Sequence, residues 1–325
     1  MKWVACELHT HTVHSDGRLS VGGLINRAKS LGLEMIALTD HNTNSGLAEL
    51  DNQRLSISFP VIKGIEWTTY FGHVLVIGSK KYVDWRDAVP HNIDEKITMV
   101  HDAGGLVGIA HPYAPGEPVC CGSHWEFYLK DWGLANFIEI WSGSLPQLVM
   151  YNKKAIKKWT SLLDKEIYLT AISARDWHGD EDDIKPFGVT YLLLDEMADV
   201  TEAAKDALKN HRAYVTVGPT VSLSASSNGK NTGIGGTLPR GKTTFRIAVG
   251  GEHRKEIWCN FDLVPQKIVL VGVGGRELSS ADFVGYENEM IITVPKVSGW
   301  VRVELRGTMR GEECALAVTN PITFE

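Results

Sequence analysis

The sequence lacks the features that would direct it to a membrane, to secretion or to nucleic acid. No apolar run approaches the ~20 residues that a membrane-spanning helix needs. Met1-Lys2-Trp3 leads directly into the first motif and leaves no room for a signal peptide. The formal charge is -6, so a broad nucleic-acid-binding surface is not expected. We therefore expect a cytoplasmic protein with no membrane partner.

Cysteine is also scarce. The five cysteines are odd in number and scattered, and they form neither a disulfide framework nor a zinc-ribbon spacing: Cys6, Cys120, Cys121, Cys259 and Cys314. Cys120 and Cys121 with His124 are a weak metal-site candidate, because adjacent cysteines are not a chelate spacing. A hydrophobic content of 43% and a charged content of 22% are ordinary for a globular protein.

The first polar cluster follows a short apolar run, residues 3–6, which reads as a strand. His9 and His11 are two residues apart, so on a strand both rings point to the same face. Imidazole is the commonest metal-binding side chain, and two on one face begin a chelate. Asp16-Gly17 then turns the chain, and Asp16 offers an oxygen ligand close by. A lone His-x-His is weak evidence for a metal site, so the interpretation depends on whether the rest of the chain supplies further ligands.

Later apolar runs alternate with helical segments, and most of these runs end in a histidine, an aspartate or a glutamate. The residues at or near the ends of these runs are His41, Glu66, His73, His111, Asp176 and His178. The alternation predicts parallel βαβ units. In a barrel of such units the carboxyl ends of the strands form the active-site face, where residues distant in sequence converge.

The pattern changes near residues 213–219. From there to Glu325 the sequence shows short strands and Gly- or Pro-marked turns, without a clear helical period. This spacing predicts an antiparallel sandwich of about a hundred residues. At 325 residues the chain is long enough for two domains, which we place at residues 1–217 and 218–325.

Together the strand-end residues form a candidate metal site: His9, His11, Asp16, His41, Glu66, His73, His111, Asp176 and His178. Taken singly, each is more often a buried, hydrogen-bonded histidine or a capping aspartate. As a set, their nitrogen and oxygen donors suit Zn, Mn or Fe(II). They exceed what one ion uses, which predicts two or three divalent ions. A carboxylate can bridge two ions, and Glu66 is the best candidate.

The ordered set resembles the PHP (polymerase and histidinol phosphatase) family of metal-dependent phosphoesterases, over about residues 5 to 217. The matching motifs are His9-Thr-His11-Thr-x-x-Ser-Asp16-Gly, Thr39-Asp-His41-Asn, Gly64-x-Glu66, His73, Ala110-His111-Pro and Asp176-x-His178. The resemblance implies an α/β fold, a distorted (β/α)7 barrel with a trinuclear site. It implies one metal on His9, His11, Glu66 and Asp176, a second on Glu66, His73 and His111, and a third on Asp16, His41 and His178.

The second half is similar to the immunoglobulin-like β-sandwich that follows the barrel in a two-domain branch of this family. Val215-Thr-Val-Gly-Pro219 and Thr319-Asn-Pro-Ile322 carry that likeness. The branch is also similar to a carbaryl hydrolase, which cleaves a carbamate ester.

Phosphate ester hydrolysis suits such a site. Clustered cations lower the pKa of a shared water towards ~7 and neutralise charge on a phosphoryl group, so a metal-bridging hydroxide is the expected nucleophile. We expect a small phosphate monoester or a nucleotide-like diester as substrate. Arg18 and Arg175 could each fork onto phosphate oxygens or be surface ion-pair residues. His14 could protonate a leaving group, although strand alternation points it away from His9 and His11.

Two other functions remain open from the sequence. The same metals could serve a carboxyl or carbamate ester hydrolase. Alternatively, the sandwich could be a carbohydrate- or protein-binding module with a structural barrel beside it. The complete ligand set argues against the binding module.

Overall fold

The structure, a computed structural model, describes residues 1–54, 59–116, 122–179, 185–195 and 199–325. Cys120 and Cys121, and with them the weak metal-site candidate, lie outside the described residues. In the ranges described, no helix is long and apolar enough to cross a membrane.

The first 217 residues alternate strands with helices for most of their length. The elements are β1 (Lys2–Glu7), α1 (Val21–Ser30), β2 (Met35–Leu38), α2 (Ser45–Asn52), β3 (Val61–Thr69), β4 (Gly72–Ile77), α3 (Ile93–Asp102), β5 (Leu106–Ile109), β6 (Phe137–Ser142), α4 (Met150–Leu163), β7 (Thr170–Ala174), β8 (Val189–Leu194), α5 (Val200–Lys209) and β9 (Ala213–Thr216). Their hydrogen-bonded order is β9-β8-β1-β2-β3-β4-β5-β6-β7. The α/β class predicted from the sequence is thus confirmed.

Local sequence explains the first helix. The side chain of Ser20 accepts a hydrogen bond from the backbone N–H of Gly23, which caps the helix. Leu24, Ile25 and Ala28 are buried and hold the helix against the core. Gly32 follows with a φ of +66°, a conformation that glycine adopts without a steric cost. The helix therefore returns the chain to β2, and β2 pairs in parallel with β1.

The parallel pairing expected from βαβ units does not extend to two of the strands. β4 is antiparallel to β3 and to β5, and β8 is antiparallel to β1 and to β9. Tyr70 and Phe71 alone connect β3 to β4, and a two-residue connection can form only a hairpin. His73 on β4 thereby enters the site from a strand that runs against its neighbours.

Pro146 is typical of a helix start, but the long helix α4 begins at Met150. Asn152 explains the difference, because its buried side-chain amide donates to the carbonyl oxygens of Ser142 at 2.8 Å and Pro146 at 3.0 Å. These bonds hold residues 142–149 as a turn. The start of α4 is therefore fixed against the end of β6.

The remaining chain is built mainly of strands. Its elements are β10 (Thr220–Ser227), β11 (Lys230–Gly233), β12 (Thr237–Leu238), β13 (Gly241–Gly250), α6 (Lys255–Trp258), β14 (Leu263–Gly272), β15 (Arg276–Asp282), β16 (Glu289–Val297), β17 (Gly299–Met309), β18 (Glu312–Thr319) and β19 (Ile322–Phe324). One sheet has the order β11-β10-β13-β16, and the other strands extend the large sheet of the first region.

The large sheet crosses the predicted boundary at residue 217. β18 pairs with β9, with Thr216 opposite Ala317. The buried side chain of Asn320 bonds to Ala171 and Ala213 of the first region, at distances of 2.8 to 3.0 Å. Arg302 also donates to Thr160 of α4 at 2.9 Å. The two parts of the chain therefore share backbone pairing and buried polar contacts.

We expect Gly108→Ala to destabilise the fold. Gly108 on β5 lies beside Phe137 on β6, and a Cβ there would lie 1.8 Å from Cε2 of Phe137. The ring must move within a close-packed core, which typically costs about 1–3 kcal/mol. Denaturant unfolding would measure the loss. Gly233→Ala is the matched strand control, since its nearest contact would be 3.5 Å. Equal stability of the two variants would contradict the packing described here.

Candidate metal centre

A parallel bridge between two loops sets the centre of the site. Thr10 pairs with Trp177: the N–H of His11 donates to Trp177 at 2.9 Å, and the N–H of Trp177 donates to His9 at 3.0 Å. Neighbours of a paired residue point to the opposite side of the backbone, so His9, His11, Asp176 and His178 face the same way. The backbone after β1 and β7 thus places these four side chains together.

Glu66 lies at the middle of the site and is fully buried. Its Oε1 is 3.2 Å from Nε2 of His9, 3.1 Å from Nδ1 of His73 and 3.4 Å from Nε2 of His111. Its Oε2 lies 2.6 Å from Nδ1 of His41. A single carboxylate therefore contacts histidines that four different loops and strands supply.

All nine strand-end residues come together as three overlapping groups. In each group the potential ligand atoms lie within 4.8 Å of one another. The groups are His9, His11, Glu66 and Asp176; Glu66, His73 and His111; and His11, Asp16, His41 and His178. They repeat the expected sets, with His11 added to the third. The ligand roles of these residues stay predictions.

The residues fit divalent metal ions on two grounds. Their donors are imidazole nitrogens and carboxylate oxygens, the ligands that Zn, Mn and Fe(II) take. Two buried ring nitrogens of the site also lack a hydrogen bond within the described chain: His9 Nε2 and His111 Nε2. Native interiors rarely leave such atoms unsatisfied. Both nitrogens lie beside Oε1 of Glu66, at 3.2 Å and 3.4 Å, so cations held there would satisfy them.

The electrostatics of the cluster around Glu66 favour a bound cation. Burial alone would lower the pKa of His9, but the carboxylates of Glu66, Asp176 and Glu139 raise it well above its ordinary value. Burial would raise the pKa of Glu66, but the charge of His9 and the close contacts with the surrounding histidines hold it well below the usual range. The pKa of Asp176 is also lowered despite burial, chiefly by His9. The cluster therefore holds buried negative charge that a bound cation can balance.

Two of the site residues and one neighbour adopt backbone conformations that are uncommon outside glycine. Asp176 has a φ of +55°, His111 of +23° and Asn42 of +56°. Such conformations cost free energy and persist where the surrounding structure enforces them. For Asp176 the enforcing contact is the bridge at Trp177. For His111 the backbone N–H donates to Glu139 at 2.8 Å.

Glu139 is a site residue that the sequence reasoning missed. It is buried on β6, and its Oε1 lies 2.8 Å from Nδ1 of His9 while Oε2 accepts from the N–H of His111. A carboxylate behind a ligand histidine fixes the ring's orientation and tautomer. The available signal was a charged residue inside the apolar run Phe137-Ile-Glu-Ile-Trp141.

Arg175 lies at the wall of the site, and Arg18 lies outside. The side chain of Arg175 is 14% exposed, and its Nε donates to Oε2 of Glu7 at 3.2 Å. Its guanidinium stacks on Trp177 at 3.7 Å and on Phe187 at 4.2 Å from the ring centroids. Arg18 is exposed, and its side chain runs along Gly179. Their roles in binding phosphate stay predictions.

His14 does not join the three groups. Its Nε2 lies 2.6 Å from Oε2 of Glu49, and its Nδ1 lies 2.9 Å from Oγ of Ser45. Both partners belong to α2. The geometry therefore gives His14 a structural contact between the first loop and α2.

The site opens into a cavity of about 710 Å³. The wall includes residues of the three groups together with Arg175, Ser142, Gly143 and Tyr151. This volume is within the ~300–1,000 Å³ typical of small-molecule sites.

A family model described as the PHP domain matches residues 7–217, which is most of the chain. The chain belongs to the PHP family. The resemblance read from the metal motifs is thereby confirmed.

Several relatives share shorter stretches with this PHP protein. It is 33% identical over 76 residues to a 3′,5′-nucleoside bisphosphate phosphatase of Chromobacterium violaceum, covering 22% of this chain and 27% of the relative. It is 34% identical over 150 residues to a 5′-3′ exoribonuclease of Escherichia coli, covering 41% of this chain and 50% of the relative. It is 31% identical over 113 residues to an uncharacterised protein of Methanocaldococcus jannaschii, covering 35% of this chain and 48% of the relative. These matches span half or less of each relative.

One solved structure covers nearly the whole PHP chain. It is a two-domain protein from Bacteroides vulgatus that contains a predicted PHP-like metal-dependent phosphoesterase. The TM-score is 0.54 at 17% identity, over 99% of this chain and 95% of that one. At this identity the likeness shows a shared fold. The extension beyond residue 217 therefore has a counterpart in another PHP-containing protein.

In this PHP protein we expect Glu139→Gln to weaken metal binding and turnover by about 10–100-fold, the usual cost of losing such a supporting carboxylate. The substitution keeps the shape of the side chain and removes its charge. Metal content after dialysis at graded free-metal concentrations would measure the change. The exposed Glu95→Gln is the control. Unchanged metal retention in the Glu139 variant would rule out a supporting role.

Proposed function

We propose that this PHP protein hydrolyses a small phosphate ester, either a monoester or a nucleotide-like diester, with two or three divalent ions (Zn, Mn or Fe) as cofactors. The ligands we assign are His9, His11, Asp16, His41, Glu66, His73, His111, Asp176 and His178. The observation that carries the proposal is the sharing of Glu66 between two of the three groups.

The chemistry of the donor set supports this reaction. Divalent ions held there supply a lowered pKa for bound water and charge to balance a phosphoryl group. The chain's own contribution is orientation: Glu66 aligns the histidines, and Glu139 orients His9 and His111. Arg175 adds a positive charge at the cavity wall, where a phosphate oxygen can accept a hydrogen bond. The net charge of -6 favours a small substrate over a broad nucleic-acid surface.

We also propose that residues 1–217 close as a distorted (β/α)7 barrel. Support comes from a contact between β7 and β8. The hydroxyl of Thr190 on β8 accepts a hydrogen bond from the N–H of Ser173 on β7 at 2.8 Å and donates one to the carbonyl oxygen of Ser173 at 2.7 Å. For residues 218–325 we propose an immunoglobulin-like sandwich. Buried residues alternate with exposed ones along β10 and β13, as one face packed on a core requires.

The deciding experiment measures hydrolysis by protein reconstituted with Mn²⁺ or Zn²⁺. The substrates are a chromogenic phosphate monoester, the matching phosphate diester and a carboxyl ester, each with and without a chelator. Chelator-sensitive turnover of either phosphate ester is the expected result, and the preferred ester would narrow the substrate class.

The same assay tests the alternatives. Turnover of the carboxyl ester alone would replace the proposal with a carboxyl or carbamate ester hydrolase. No turnover of any ester by protein with bound metal would contradict the proposal for these substrate classes. Turnover that survives complete metal removal would contradict the metal-dependent mechanism.

A further inference from the structure

Tyr151 lies at the wall of the same cavity as the metal groups, at the second position of α4. Residues of the three groups at this wall include His111, Asp176 and His178. The hydroxyl of Tyr151 donates to the carbonyl oxygen of Ser142 at 3.4 Å, which is long for an O–H···O bond. The hydroxyl can therefore exchange this contact for a better acceptor in the cavity.

The surrounding backbone keeps Tyr151 in this position. Asn152 next to it accepts from the N–H of Ser142 at 3.1 Å and donates to its carbonyl at 2.8 Å. Gly143 has a φ of +75°, and a Cβ there would lie 3.1 Å from the hydroxyl oxygen. The turn between β6 and α4 therefore holds the ring and leaves room around its oxygen.

The carboxylates, the metal-site histidines and two of the hydroxyls at this wall are poorly suited to give up a proton. Ionised carboxylates only accept hydrogen bonds, and histidines that bind metal must be neutral. The hydroxyl of Ser15 already donates to Asp40 at 2.8 Å, and the hydroxyl of Thr68 is in contact with His41. Tyrosine is also a much stronger acid than serine or threonine, with an ordinary pKa of ~10.

We propose that the hydroxyl of Tyr151 donates the proton that the leaving oxygen takes in the proposed ester hydrolysis. A water oxygen bonds to phosphorus and loses a proton to solvent, and the bond from phosphorus to the leaving oxygen breaks. That oxygen takes the hydroxyl proton of Tyr151 and departs as an alcohol. The tyrosinate then recovers a proton from solvent, so atoms and charge balance. This inference rests on the proposed phosphoesterase function.

The surroundings keep the donor in its protonated form. Burial, with smaller contributions from Glu139 and Asp176, raises the pKa of Tyr151 above its ordinary value. The hydroxyl therefore carries its proton at neutral pH. Alkoxides are stronger bases than a tyrosinate, so transfer to an alkyl leaving group is favourable. A nitrophenolate leaves without needing a proton.

The test compares Tyr151→Phe with the unmodified protein on two phosphate monoesters, one with an alkyl and one with a nitrophenyl leaving group. We expect kcat for the alkyl ester to fall by about 10²-fold or more, the size of a general acid's contribution. We expect kcat for the nitrophenyl ester to change little. Tyr82→Phe, at an exposed tyrosine, is the matched control.

Two further measurements exclude other causes. Metal content should be equal in both proteins, and ultraviolet titration should show that the tyrosinate signal lost in the variant arises above neutral pH. Equal losses on both esters, no loss on either, or a Tyr151 ionised at neutral pH would each overturn the inference. If the unmodified protein hydrolyses neither these monoesters nor the corresponding phosphate diesters, the proposed function has failed and not Tyr151 alone.

Discussion

Replacing Glu66 with Gln is expected to abolish phosphate ester hydrolysis and to lower the number of ions bound per chain. Glu66 is fully buried and contacts His9, His73 and His111 through Oε1. Gln keeps the size of the side chain but loses its charge and presents an amide in place of one oxygen. Two of the three groups lose their shared ligand at once.

The expected loss in kcat/KM is at least about 10³-fold, because metal-supplied charge stabilisation amounts to several kcal/mol and each 1.36 kcal/mol is tenfold in rate. Turnover assays with metal analysis of the same samples would measure both effects. His9→Ala and Asp176→Ala should behave alike, since each belongs to the first group.

Glu49→Gln provides the control for Glu66→Gln. Glu49 is a half-buried carboxylate on α2 that contacts His14 of the loop after β1, and it belongs to none of the three groups. It should retain metal and activity. Full activity in Glu66→Gln, or in His9→Ala, would show that the proposed site is not the catalytic site.

Arg175→Ala is expected to lower the free energy of unfolding by about 3–5 kcal/mol, the usual cost of removing one partner from a buried ion pair. Glu7 is 1% exposed, and Arg175 donates to it from both Nε and the backbone. Burial raises the pKa of Glu7, and Arg175 opposes that rise. Without Arg175 the Glu7 carboxylate is left buried and unpaired. Denaturant unfolding would measure the loss.

A second substitution separates the ion pair from packing. Glu7→Gln in the Arg175→Ala background removes the stranded charge and should recover part of the lost stability. No recovery would assign the loss to the stacking on Trp177 and Phe187.

In protein that remains folded, Arg175→Ala should also raise KM for phosphate substrates. Arg18→Ala, at an exposed residue, should leave stability within about 0.5 kcal/mol.

The sequence was sufficient to predict the α/β class and the meeting of the nine strand-end residues. Each of them carries a local signal, since His41 follows an apolar run and His111 follows another. Parallel strands then bring such ends to one edge without further information, and the β3–β4 hairpin adds His73. His9 and His11 were paired by strand alternation alone.

Other features depend on contacts that no local pattern encodes. Glu139 supports His9 only because β6 lies across the sheet from β1, 130 residues away in sequence. From the sequence, Arg175 could be a surface residue, because its partner Glu7 is 168 residues away and no local pattern links the two. Pro146 is typical of a helix start, but the contacts of Asn152 fix a turn there and α4 begins later. In each case a tertiary contact overrides the local preference.

The pairing of β9 with β18 has a consequence for the order in which the chain folds. The hydroxyl of Thr216 donates to the carbonyl of Leu316, 100 residues further on. During synthesis the N-terminal part emerges first, so β9 leaves the ribosome with one edge open until β18 follows. Open strand edges recruit other chains, and pairing across long loops is slow. A ribosome stalled before β18 would thus release an aggregation-prone chain, and chaperone demand should peak late in translation.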